Sequence, residues 1–294
     1  MRIDVDFIDL NAKSHSLIVD MSLPAFLKHL AISGQGERGG ALMALSRGAG
    51  AYLFHRRYFD VRLWRLAGLR RAHPYLHDPT DQGDFSTLAG RAVADFLAKK
   101  LLDAKFTHGY EAAMQLKKLP LVGDRPDFYC VTRDSKRQFA MEAKGYGKKY
   151  VGSIEMAEHK AQSKSGPLAV HFTVASVLFR CYGKPRCNFH DPLEGDVEFD
   201  FELNAALANQ FYSGLLEEFD AYLERVNLEI DGREFISYEL SSIFPVRRGR
   251  RASLLLDARI PGVLNSERVL DFSFEPISSK RIYVDVDGVG FTVM

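Results

Sequence analysis

The chain has 294 residues and a formal net charge of +1, so it is no polycation, and any contact with nucleic acid must come from a local basic patch. Its three cysteines, Cys130, Cys181 and Cys187, are an odd number in a chain of this size, which points to reduced thiols and a cytoplasmic setting rather than a disulfide framework. No apolar run approaches the roughly 18 residues of a membrane span, and the acidic first ten residues lack a signal-peptide pattern, so no membrane partner is expected.

In chain order, residues 3–10 and 16–19 read as short strands and 24–32 as a helix. The glycine-rich stretch 33–40 lacks the Lys-Ser/Thr ending of a phosphate-binding loop and reads as a connector. Residues 52–73 interleave arginines with Phe54, Tyr58, Phe59 and Trp64. That composition suits either a clamp on a phosphate backbone or an amphipathic element with core aromatics and solvated arginines. Ser86 or Thr87 is expected to cap a helix over 88–102, followed by a strand over 106–116. Beyond the hairpin treated below, a helix over 152–164 closes at Gly166-Pro167. It and the segment before it carry Lys148, Lys149, Lys160 and Lys164. Residues 168–179 form an almost continuous apolar run, as a strand buried on both faces requires.

Cys181, Cys187 and His190 invite a zinc reading, but no second cysteine pair completes a tetrahedral set. An acidic stretch opens at Asp191 and contains a long amphipathic helix over 203–226, whose acids suit solvent, a protein partner or the arginine-rich N-terminal segment. Strands are expected over 234–240, 252–258, 269–274, 282–285 and 288–293, with a turn at 285–288. Arg247, Arg248, Arg250 and Arg251 form a second basic loop, either solvated or set to grip a phosphate backbone.

The chemistry concentrates between Pro126 and Lys144. Residues 125–131 and 138–144 read as two antiparallel strands around a turn at Asp134-Ser135, which places Asp127 across from Glu142 at about 5 Å between Cβ atoms. Lys144 shares a face with Glu142, while Phe128, Cys130, Phe139, Met141 and Ala143 face the other way. Two adjacent carboxylates repel, so one pKa rises unless a cation sits between them. A hard divalent ion, Mg²⁺ or Mn²⁺, is the usual cation for such a pair, and a lysine beside it can hold the attacking water. The bland reading is a surface hairpin with Glu142 and Lys144 solvated.

Pro126-Asp127 followed by Glu142-Ala143-Lys144 resembles the signature of the PD-(D/E)XK nuclease superfamily. The resemblance implies an α/β, restriction-endonuclease-like αβββαβ core, a mixed central sheet flanked by helices, over residues 81–190. An N-terminal accessory region (1–80) and an acidic, β-rich C-terminal region (191–294) would surround it. It further implies a metal-dependent nuclease acting on nucleic acid, more so DNA. Asp127 and Glu142 would then hold the ion together with the Ala143 carbonyl, Lys144 would activate water, and Gln162 would support the site. Asp95 or Glu111 would complete a second metal position. Lys148, Lys149, Lys160, Lys164 and Arg247, Arg248, Arg250 and Arg251 would meet nucleic acid. The competing expectations are a non-catalytic nucleic-acid-binding member of the same fold and a protein-interaction subunit, with a protein partner or a homodimer in either case.

Overall fold

The computed structural model describes residues 1–34, 58, 64, 68–69, 78–240, 251–272 and 274–293. The protein is a mixed α/β structure of two sheets separated by helices. The first sheet has seven strands in the order β2-β1-β7-β6-β5-β4-β3 and the second six in the order β11-β12-β13-β10-β9-β8.

β1 (Arg2–Ile8) and β2 (Ser14–Asp20) form an antiparallel hairpin. Its turn is held by Asp9, whose Oδ1 accepts the amides of Asn11 and Lys13, both at 2.9 Å. Ile3 and Val5 point inward while their neighbours face solvent, the alternation that a half-buried strand demands. β1 runs parallel to β7 (Arg186–Glu194), so the first sheet takes strands from both sides of the boundaries expected at 80 and 190.

α1 (Leu23–Ile32) starts at Ser22, whose Oγ accepts the Ala25 amide at 3.2 Å. α2 (Pro79–Leu101) starts well before the expected Ser86 or Thr87. Asp78 caps it by accepting the Thr80 amide at 2.8 Å, and Pro79 fits the first turn, where no amide donor is needed. Phe85, inside that added turn, is buried and stacks on Tyr58 at 5.2 Å. β3 (Ala104–Gly109) ends seven residues before its expected limit and α3 (Tyr110–Leu116) follows it. The reason is local, since Glu-Ala-Ala-Met-Gln-Leu is a run of strong helix formers.

β4 (Phe128–Thr132) and β5 (Gln138–Gly145) pair with Phe128 opposite Met141 and Tyr129 opposite Ala140, the register that sets Asp127 against Glu142. Both strands are buried almost throughout, so the hairpin is sheet interior and not a surface element. α4 (Ser153–Ser163) packs on β5 and β6 (Phe172–Phe179), and β6 runs parallel to β5 and is buried over its whole length.

α5 (Phe201–Tyr222) buries Leu207, Phe211, Tyr212, Leu215 and Phe219 against the rest of the chain, so its apolar stripe serves the core. The expected helix over 203–226 stops at Tyr222, and β8 (Arg225–Ile230) begins where it was to end. The second sheet continues with β9 (Arg233–Glu239), β10 (Ala252–Asp257), β11 (Ile277–Ser278), β12 (Ile282–Val284) and β13 (Val289–Val293), preceded and interrupted by short helical turns at α6 (Ile260–Val263) and Glu267–Val269. Residues 269–274 are therefore not the expected strand. The carbonyls of Val269, Leu270 and Phe272 turn instead toward the buried Lys105 amine.

α2 lies across β3, β5 and β6, α1 packs on α2, and α1 meets β12 and β13 on its far side. One continuous apolar cluster includes residues of both sheets. No helix among the described residues is long and apolar enough to cross a membrane.

Candidate active site

Asp127 is the last residue before β4, where the chain leaves Pro126. Its Oδ2 accepts the amide of Ala143 at 3.0 Å and its Oδ1 accepts Nη1 of Arg91 at 2.7 Å. The N–H and C=O of a strand residue point to the same neighbour. The Ala143 carbonyl is thus turned toward the edge that Asp127 occupies.

Glu142 is fully buried on β5. Lys144 Nζ lies 2.6 Å from its Oε1, close enough for an ion pair, yet neither carboxylate oxygen receives an aligned hydrogen bond from a described residue. Burial, and then the charge of Asp127, pushes the Glu142 carboxyl up to about 7 against the pull of Lys144 and Arg91. Lys144 is half-buried, with its amine reaching the same spot. Three of the expected residues, Asp127, Glu142 and Lys144, thus converge.

A cleft of about 450 Å³ opens beside them, lined by Gly34, Arg91, Gly109, Tyr110, Glu111, the loop 123–127 and Gln162. Glu111 is on the first turn of α3 rather than on a strand, and it is ion-paired with Arg125. Gln162, near the end of α4, donates Nε2 to the Arg125 carbonyl at 3.4 Å, so it braces the loop that leads into Asp127.

Asp95 is not in this cleft. It is buried inside the molecule, where Oδ2 faces His29 Nδ1 at 2.8 Å and Oδ1 accepts the Thr107 hydroxyl at 2.6 Å. Burial would raise its carboxyl, but Lys99, His29 and Lys28 hold it well below the usual carboxylate range. It belongs to a buried charge cluster with Lys28, Lys99, Asp285 and Asp287. Lys28 Nζ reaches both Asp285 and Asp287 at 2.8 Å. Lys99 is ion-paired with Asp287 and lies 3.3 Å from Asp285. The second metal position through Asp95 is therefore corrected: the residue lies outside the cleft, and His29, Thr107 and Lys99 already surround its carboxylate. The residue that α2 does offer to the site is Arg91, one turn earlier, and nothing local in the sequence marks it, because its partner Asp127 is 36 residues away.

Among the described residues no group of three or more His, Cys, Asp or Glu side chains is placed to hold a metal ion. Cys181 and Cys187 are buried free thiols, and burial pushes both up to about 12. His171 accepts the Gln138 amide on Nδ1 at 3.1 Å and is a structural residue.

Of the basic side chains, Lys148 is exposed and ion-paired with Glu155, Lys149 and Lys164 are exposed, and Lys160 is half-buried. Arg251 is exposed and 3.7 Å from Glu239 at an end of the second sheet. Arg247, Arg248 and Arg250 lie outside the described residues, as do the arginines expected over 52–73. Tyr58 and Trp64 of that segment are buried, Trp64 donating Nε1 to the Met21 carbonyl at 2.8 Å. Compared with family models, curated proteins and solved structures, the chain matches none.

Proposed function

We propose that the protein is a metal-dependent nuclease that hydrolyses phosphodiester bonds, preferentially in DNA, on a restriction-endonuclease-like core. The observation that carries this reading is Glu142: a fully buried carboxyl, both oxygens lacking an aligned donor, beside a second carboxylate and a lysine at the edge of an open polar cleft. Burying such a group with no aligned hydrogen-bond donor is costly, and in a fold this well packed that cost needs a purpose. The element order α2-β3-α3-β4-β5-α4-β6, with β5 and β6 parallel, supports the core assignment, with α3 as an added turn after β3.

The donor set fits one Mg²⁺ or Mn²⁺ rather than two: Asp127, Glu142 and the carbonyl of Ala143 would hold it, and Mg²⁺ commonly takes one or two carboxylates with water completing its shell. A bound divalent ion would supply Lewis-acid polarisation of the phosphate and a lowered water pKa. The chain's own part is to place charges. Ala143 N–H fixes the rotamer of Asp127, and Gln162 fixes the loop before it. Lys144 offsets the charge of Glu142 and is placed to orient water and to meet negative charge developing on the phosphate. Lys148, Lys149, Lys160 and Lys164 supply the positive flank for the phosphates on either side.

The test is cleavage of supercoiled plasmid, linear duplex, single-stranded DNA and RNA by the parent, Glu142→Ala and Lys144→Ala, with Mg²⁺, Mn²⁺ or EDTA. Metal-dependent cutting by the parent, lost by at least a hundredfold in both variants, is expected, with Lys144→Ala still binding Mn²⁺. Equal cutting by Glu142→Ala would sink the mechanism. No cutting by any of the three would shift the reading to a non-catalytic binding subunit.

A further inference from the structure

The proposed metal site already holds a cation of the chain's own. Arg91 Nη1 takes Asp127 Oδ1, while Asp127 Oδ2 is spent on the Ala143 amide. A divalent ion on Asp127 therefore arrives at a carboxylate whose two oxygens each already accept one hydrogen bond, beside a permanent positive charge. The two cations cannot share it at low cost. Resting on the nuclease reading of this site, we propose that Arg91 is a further catalytic residue: it latches Asp127 while the site lacks metal, and turns to the scissile phosphate when a divalent ion takes its place.

Four features of the side chain make that exchange workable. Among the described residues it hydrogen-bonds only through Nη1, leaving the Nε/Nη2 edge, the fork that grips a phosphate by two bonds, uncommitted. Nε is buried without a partner, so the latched position leaves a donor unsatisfied that a turned position can use. The guanidinium carbon sits 4.8 Å from the Phe128 ring centre, a stacking surface on which the group can pivot without losing its contact. The side chain is 23% exposed and forms part of the cleft wall, so a phosphate entering the cleft meets it. Gly34 preserves the room: a Cβ there would come within 2.7 Å of Arg91 Nη2.

The experiment measures Mn²⁺ binding by titration calorimetry without substrate, and DNA cleavage at saturating Mn²⁺, for the parent, Arg91→Gln and Arg91→Lys. Circular dichroism and thermal melting establish that each is folded. Arg91→Gln is expected to bind Mn²⁺ at least tenfold more tightly than the parent and to cleave at least a hundredfold more slowly, with Arg91→Lys between the two in both respects. A merely structural arginine would not tighten metal binding when removed. Equal Mn²⁺ affinity in parent and Arg91→Gln overturns the latch and leaves the nuclease reading standing. Tighter binding with undiminished cleavage overturns the phosphate role. No Mn²⁺ binding by any of the three overturns the latch and the metal site together.

Discussion

Glu142 is the residue on which local chemistry and stability meet. Its carboxyl ordinarily titrates near 4.5 and is pushed to about 7 by burial and by Asp127. A group whose folded pKa is raised holds its proton longer in the folded protein. Its contribution is therefore fully present below about 4.5 and is lost as pH rises through 7. Replacing it with Gln removes that loss. In EDTA, Glu142→Gln should be more stable than the parent at pH 8 by up to about 3 kcal/mol, with the gap closing toward pH 4.5. Urea unfolding at the two pH values measures this, and a gap that does not change with pH would contradict the burial argument. The same burial explains why an unremarkable Glu-Ala-Lys triplet carries weight here: on the solvated hairpin that was the alternative, Glu142 would titrate as an ordinary side chain.

At the scale of the element, α2 is what brings Arg91 to Asp127, and it does so by a backbone-to-backbone approach to β5. A Cβ on Gly90 would fall 2.5 Å from both the Gly145 nitrogen and the Lys144 carbonyl carbon. Neither is the free end of a flexible side chain, so helix and strand would have to part. Gly90→Ala should cost about 1–3 kcal/mol, outweighing the roughly 1 kcal/mol that alanine normally adds to a helix, and should weaken cleavage by drawing Arg91 and Lys144 out of place. Gly83 in the same helix is the control, because nothing lies within 4 Å of a Cβ built there. Gly83→Ala should stabilise by about 0.5–1 kcal/mol. If the two substitutions shift the melting temperature in the same direction, the close approach is not what fixes α2.

At the scale of the molecule, the buried cluster ties α1, α2 and the turn between β12 and β13 together through Lys28, His29, Asp95, Lys99, Asp285 and Asp287. Tyr212 of α5 joins it by donating to the Asp287 carbonyl at 2.7 Å. Removing one partner leaves the others as uncompensated buried charges, so Lys99→Met should cost about 3–5 kcal/mol, a large share of an ordinary domain's stability. The cluster also sets the acid limit. Burial holds His29 below its usual 6.5 against the pull of Asp95, so its contribution is present above 6.5 and is lost as pH falls below that value. Asp95 and Asp285 are held far below the usual 3.8 by Lys99, Lys28 and His29 despite burial, so their contribution is lost when pH falls below about 4. Unfolding followed from pH 7 to 3 should steepen below 4 in the parent and lose that steepening in an Asp95→Asn/Asp285→Asn double variant. Cluster partners on α1 and β12–β13, together with the β1–β7 pairing, also predict that residues 81–190 alone will not fold cooperatively.

What the sequence determined was whatever short-range alternation and composition encode. The register that sets Asp127 against Glu142, the helix that became α4, the buried run of β6 and the turn at Asp285–Gly288 are all local, because strand pairing across a short turn and helical periodicity depend on neighbours a few residues apart. Local signals also misled where two of them competed. Thr107 and His108 favoured a strand that the helix formers after Tyr110 cut short, and Asp78-Pro79 outranked Ser86 as a cap. The rest required the tertiary structure, because burial and charge pairing are sums over distant segments. Asp95 read as a candidate metal ligand until Lys28, Asp285 and Asp287, remote in sequence, were brought around it. Arg91 carried no signal until α2 was laid against β5. Glu142 became an ionisable group with a raised pKa only when β4, β6, α2 and α4 had packed around β5 and buried it.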